Sequence, residues 1–180
     1  MIAVLFSGLI TGQLATKPLT LKGGFDLDKK PLAIATKSAK ATVFFFIATD
    51  CPVANRYAPE IQRINATYSK KGVQFYRVYV LDKSKAKEAR AHGTDYKLGM
   101  PAILDPDRKL VKETGVKITP EVAVVNPAGI LVYRGRIDDQ NIEHGAVRDG
   151  YRRDLRIALN EVLAGKPVSI PTTAAIGCYL

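Results

Sequence analysis

The chain is poor in the residues that hold metals. It has two cysteines, Cys51 and Cys178, and two histidines, His92 and His144. Two cysteines make neither a disulfide framework nor a thiolate zinc site. Neither histidine has a second histidine or a cysteine at i+3 or i+4, so no metal and no cofactor is expected. Long apolar runs are also lacking. The uncharged stretch Met1 to Ala15, which ends before Lys17, is too short to span a bilayer. It fits the apolar core of a secretory signal ending near Leu14-Ala15, though it has no positively charged start and has Gln13 close to the cleavage point. The expectation is export to the periplasm or beyond, with no integral membrane span; the alternative is a buried N-terminal strand. Acidic residues are outnumbered, 17 against 27 lysines and arginines, for a net charge of +10. The cations are scattered, as at Lys83, Lys85 and Lys87 or Arg152 and Arg153. No zinc-finger spacing, RNA-binding aromatic motif or long basic block accompanies them, which argues against a nucleic-acid partner. A solvated basic surface remains, suited to acidic partners or an anionic membrane surface.

With 47% hydrophobic and 24% charged residues, the composition is that of a globular protein, and 180 residues suffice for one domain with a sizeable core. Residues 18–36 alternate weakly around Gly23-Gly24 and Asp28-Lys29-Lys30, which predicts an opening hairpin. The apolar run Val43 to Ile47 predicts a fully buried strand, and Tyr57, Ile61, Ile64 and Tyr68 recur at helical spacing over 52–70. Further strands are expected at 73–81, 99–104, 121–125 and 130–136. Helices are expected at 83–96, 108–114 and 150–164. Residues 16–165 thus form one α/β domain, a mixed sheet between helices. Residues 166–180 read as an extended, loosely structured tail carrying Cys178.

Cys51 falls between the buried strand and the helix, with Pro52 at the first helical position, where a missing N–H costs nothing. At a helix N-terminus the unpaired N–H groups and the dipole favour a thiolate, the nucleophilic form. The competing reading is a buried cysteine acting as a small hydrophobe.

These residues resemble the thioredoxin-like superfamily, in particular its exported redoxin branch, which is AhpC/TSA-like and peroxiredoxin-like. Cys51 stands where the superfamily carries its nucleophile, Pro59 matches the proline inside the following helix, and Ile118-Thr119-Pro120 resembles the cis-proline loop. The stretches Asp50 to Glu60, Tyr133 to Asp139 and Ala175 to Cys178 carry the likeness to the redoxin branch. The resemblance implies a thioredoxin-like fold, with a central mixed sheet flanked by helices, an N-terminal hairpin and an extended C-terminal tail. It also implies Cys51 as nucleophile, with Pro52, Arg56, Thr119 and Pro120 contacting substrate. Two departures stand out. Ala54 replaces the second cysteine of Cys-x-x-Cys, and the strand before Cys51 lacks the acid that assists it. The peroxiredoxin pattern needs proline at 44 and threonine at 48, where this chain has Phe44 and Ala48.

Three mechanisms follow from that resemblance. In thiol–disulfide exchange with a protein partner or reductant, a second sulfur must release the mixed disulfide. Cys178 is the candidate, either as a resolving thiol or in a purely structural pair with Cys51. Thr119 would present its backbone to an extended substrate as a sheet edge does. In peroxide reduction Cys51 would become a sulfenic acid, with Arg56, Arg134 and Arg136 as candidate donors. The third reading is a binding module without turnover. Asp50 is expected to cap the helix or oppose thiolate formation, Tyr57 to sit in the core, and Glu60 and Glu121 to lie unpaired on the surface.

Overall fold

The computed structural model describes Leu14, residues 17–143 and residues 146–180. The N-terminal segment expected to be a signal, and His144, lie outside the described residues. Strands β1 (Lys22–Phe25) and β2 (Pro31–Ala33) form the antiparallel hairpin expected at the start. They are followed by β3 (Ala41–Phe46), α1 (Pro52–Tyr68), β4 (Val73–Tyr79), α2 (Ala86–Asp95), β5 (Ala102–Leu104) and α3 (Lys109–Thr114). The second half comprises β6 (Ile118–Thr119), β7 (Glu121–Val125), β8 (Leu131–Gly135), β9 (Asn141–Glu143), β10 (Ala146–Val147), α4 (Asp154–Leu163) and β11 (Cys178–Tyr179).

Seven strands make one mixed sheet in the order β2-β1-β5-β4-β3-β7-β8. β3, β4 and β5 run parallel, and β7 and β8 join antiparallel. β3 lies inside the sheet between β4 and β7, and all six of its residues are buried. A strand covered on both faces has no polar side to alternate with, which explains its unbroken apolar run. On one face Val43, Phe45, Phe75, Tyr79 and Val124 pack with Ile61 and Ile64 of α1, Ala89 of α2 and Leu155 and Leu159 of α4. On the other, Phe44, Phe46, Val78 and Ile103 pack with Leu110 of α3 and Leu21. The protein therefore has the expected α/β, thioredoxin-like architecture.

Several boundaries differ from expectation. The helix expected from residue 150 starts at Asp154, and a 3₁₀ turn at Lys83–Lys85 precedes α2. The strand expected over 99–104 is confined to Ala102–Leu104. The two-residue pairings of β9 with β10 and β6 with β11 carry no periodic signal and went unanticipated. The tail is the main correction, because it is held rather than loose. The Arg134 N–H donates to the Pro171 carbonyl (2.9 Å), and the Thr173 N–H to the Arg134 carbonyl (3.1 Å). The Thr173 hydroxyl accepts from the Arg136 N–H (3.0 Å) and lies 2.8 Å from the Tyr133 hydroxyl. The tail thus runs along β8 as a strap before reaching β6. Backbone groups that a solvated tail would offer to water are satisfied here by the domain.

Candidate active site

Cys51 is the N-cap of α1, in extended conformation with Pro52 next. Its sulfur accepts from the Ala54 N–H at 3.5 Å, one of the helix donors left without a partner by the chain's turn. The thiol also lies 3.3 Å from the Thr119 carbonyl, to which it donates. The Thr119-Pro120 peptide is cis, as the resemblance implies, and both residues are buried. Cys51 itself is 1% exposed.

Cys178 covers it. β11 pairs antiparallel with β6, setting Cys178 opposite Thr119 and Tyr179 opposite Ile118, and the Leu180 N–H donates to the Lys117 carbonyl at 3.1 Å. The sulfurs of Cys51 and Cys178 are 2.9 Å apart, and both cysteines are free. The hydrogen bond to Cys51 pushes the Cys178 thiol up to about 11, helped by burial and by the charges of Cys51 and Asp50. At neutral pH Cys178 therefore holds its proton. Gly177 makes this docking fit. A Cβ there would lie 2.0 Å from the Thr119 oxygen and 2.8 Å from its carbonyl carbon, both backbone atoms.

Two braces hold the surrounding loops, and neither was visible in the sequence. Glu121, expected on the surface, is buried, and its Oε2 accepts from the N–H groups of Lys117 (2.8 Å) and Ile118 (3.2 Å). One carboxylate thus fixes the approach to the cis-proline loop from below, with Arg134 3.8 Å from its other oxygen. The second brace runs through His92, which is buried on α2. Its Nδ1 lies 2.8 Å from the Tyr79 hydroxyl and its Nε2 lies 2.9 Å from Asn55 Oδ1, while Asn55 Nδ2 donates to the Thr49 carbonyl at 3.2 Å. With Asn55 oriented that way, His92 donates from Nε2 and accepts from Tyr79, which is the neutral imidazole. Burial and the nearby Arg77 charge lower its pKa, consistent with that form. The chain of bonds ends at Thr49, whose hydroxyl donates to Glu88 at 2.6 Å. It anchors the turn leading into Cys51.

The remaining candidates separate from the sulfurs. Pro52 is exposed beside Cys51. Arg56 is exposed and lines a cavity of about 250 Å³ with Tyr57, Gln140, Asn141 and Val147, without a hydrogen bond to either sulfur. Arg134 is engaged by the Gly115 carbonyl (3.0 Å) and Glu121, and Arg136 donates to Asp154 (2.7 Å). Tyr57 is core, as expected, and its hydroxyl donates to the buried Asp138 at 2.5 Å. Glu60, expected unpaired, bridges Arg63 (2.8 Å) and Arg156 (2.7 Å). Among the described residues no cluster of three or more histidine, cysteine or acidic side chains could hold a metal ion.

A buried cysteine capping a helix beside a cis-proline loop, on this sheet order, defines a redoxin of the thioredoxin-like superfamily. The chain belongs to the AhpC/TSA family, whose model matches residues 12–134. No curated protein matches it. Similar solved structures include an uncharacterized conserved protein from Geobacillus kaustophilus, with a TM-score of 0.78, 23% identity, and 93% of this chain and 92% of that one covered. A hypothetical protein from Sinorhizobium meliloti is similar at TM-score 0.78 and 23% identity, covering 93% of this chain and 94% of that one. A secreted Mycobacterium tuberculosis disulfide oxidoreductase homologous to E. coli DsbE aligns at TM-score 0.56 and 18% identity, over 81% and 96% of the two chains. At these identities the likeness is one of fold.

Proposed function

We propose that this protein is an exported thiol–disulfide oxidoreductase in which Cys51 is the nucleophile and Cys178 resolves the mixed disulfide. The observation that carries the reading is the 2.9 Å separation of the two sulfurs, with Cys178 held opposite Thr119 on the cis-proline strand. Cys51 Sγ attacks one sulfur of a partner's disulfide, forming a mixed disulfide and releasing the partner's other sulfur as a thiolate. Cys178 then loses its proton and attacks Cys51 Sγ, releasing the second partner thiolate and leaving a Cys51–Cys178 disulfide. The partner gains two electrons, this chain loses two, and an external thiol restores it. Because the tail covers Cys51, the first step requires β11 to leave β6, and the second requires its return.

Several observations support this over peroxide reduction. Arg134 and Arg136 are engaged elsewhere, and Arg56 makes no bond to either sulfur. Protein thiols and disulfides are the partner class that a β6 edge and two thiols fit. Export is supported by the apolar Met1 to Ala15 stretch, and no helix among the described residues is long and apolar enough to cross a membrane. The test uses scrambled, disulfide-bonded ribonuclease as substrate. Wild type should reduce it in the presence of glutathione, Cys178→Ser should accumulate a covalent adduct, and Cys51→Ser should do neither. A wild type that forms the internal disulfide but turns over no faster than glutathione alone would reduce the pair to a structural bond.

A further inference from the structure

Arg77 of β4 sits on the helix-covered face of the sheet, where a guanidinium is out of place. It is only 8% exposed. Gly93 of α2 makes room for it, since a Cβ there would lie 2.4 Å from the guanidinium carbon. Its Nη1 donates to the Leu98 carbonyl, but Nε is buried with no partner among the described residues. No carboxylate pairs with it among those residues, and desolvation lowers its pKa. A buried cation without a counter-charge is costly, and proteins ordinarily pair such a group.

This guanidinium lines a cavity of about 410 Å³ whose other walls include Arg90, Lys97, Thr94, Leu98 and Met100. Three cationic side chains therefore face one space. No carboxylate is among the described lining residues, and the exposed Asp28 lies 2.8 Å from Arg90. Leu98 and Met100 supply an apolar wall, and the Thr94 hydroxyl donates to the Arg90 carbonyl at 3.2 Å. The cavity lies on the α2–β5 side of the sheet and includes neither cysteine among its lining residues.

We propose that this cavity binds a small molecule through an oxyanion, a phosphate or carboxylate group set against the Arg77 guanidinium with Arg90 and Lys97 closing over it. Arginine presents planar paired donors that match either oxyanion, and charge-assisted bonds of this kind are the stronger ones. The net charge of +10 favours the approach of anions.

The experiment titrates the full chain with inorganic phosphate and, separately, with succinate, at ionic strength held constant with chloride. Binding is read by calorimetry and by thermal midpoint. A saturable signal with either probe, lost in Arg77→Met, is the expected result, and the better probe identifies the oxyanion. Removing an unpaired buried charge should leave Arg77→Met folded. If it does not fold, the exposed pair Arg90→Ala/Lys97→Ala decides in its place, with an expected weakening of about tenfold or more, equivalent to about 1.4 kcal/mol. Binding of neither probe, or affinity unchanged in the deciding variant, overturns the proposal.

Discussion

Replacing Gly177 with alanine should release the tail from Cys51 without unfolding the domain. The added methyl would lie 2.0 Å from the Thr119 oxygen, a backbone atom fixed by the cis-proline loop, so the tail strand has to move. The movement breaks the β6–β11 pairing and the Leu180 N–H bond to the Lys117 carbonyl. At roughly 1 kcal/mol net for each of two or three hydrogen bonds, docking loses about 2–3 kcal/mol. That corresponds to a rise of roughly 30- to 150-fold in the undocked population, at a factor of ten per 1.4 kcal/mol. The Cys178 thiol, pushed up to about 11 by its bond to Cys51, should fall toward the ordinary thiol value of about 8.5 once that bond is gone. At pH 8 both effects speed alkylation of Cys178. The assay is iodoacetamide labelling of the reduced protein, with the tail peptide quantified by mass spectrometry and the domain followed by urea unfolding. A Cys178 labelling rate within twofold of wild type, in a variant with an unchanged unfolding midpoint, refutes the close-approach argument.

Two further changes test the braces. His92 is held neutral by burial, so its folded pKa lies below its unfolded value of about 6.5. Between those values the unfolded chain binds more protons, so this contribution is present above about pH 6.5 and is lost as pH falls through the folded pKa. His92→Gln should therefore show a shallower loss of urea stability from pH 7.5 to pH 5 than wild type, and parallel profiles would contradict the neutral assignment. Glu121→Gln keeps the shape but removes the charge that two N–H groups share; a loss of about 1–3 kcal/mol in urea unfolding is expected, together with faster Cys178 alkylation. Unchanged alkylation would mean that the carboxylate does not support the β6 edge.

What the sequence made legible was whatever repeats locally. The apolar run into Cys51 and the helical spacing after it are written within a few residues, so β3, α1 and the cysteine's place at the helix start could be read directly. Thr119-Pro120 was legible by resemblance. Cys178 is the candidate partner of Cys51 because the chain has no other cysteine, but its docking beside Thr119 was not readable from pattern, since β6 and β11 have two residues each and no alternation distinguishes such a pair from loop. The tail looked loose for the same reason: Thr173 is fixed by backbone and hydroxyl groups about 40 positions earlier, which no local window contains. Glu121 was misplaced because its partners are backbone N–H groups, which every residue carries and no sequence marks. His92 was set aside as lacking a nearby ligand partner, yet its bonds run 13 and 37 positions away to Tyr79 and Asn55.

The 127 positions between the two cysteines give their meeting a thermodynamic meaning. A bond between them would close nearly the whole domain into one covalent ring. Loop-closure entropy for a ring of that size amounts to roughly 5 kcal/mol taken from the unfolded chain. Folding and oxidation are then linked: whatever the ring adds to the stability of the fold, the fold returns as resistance of the bond to reduction. A cysteine pair within one helical turn would have much less of it, roughly 2 kcal/mol by the same relation. In this chain the redox state of two sulfurs would set how firmly the whole domain holds together.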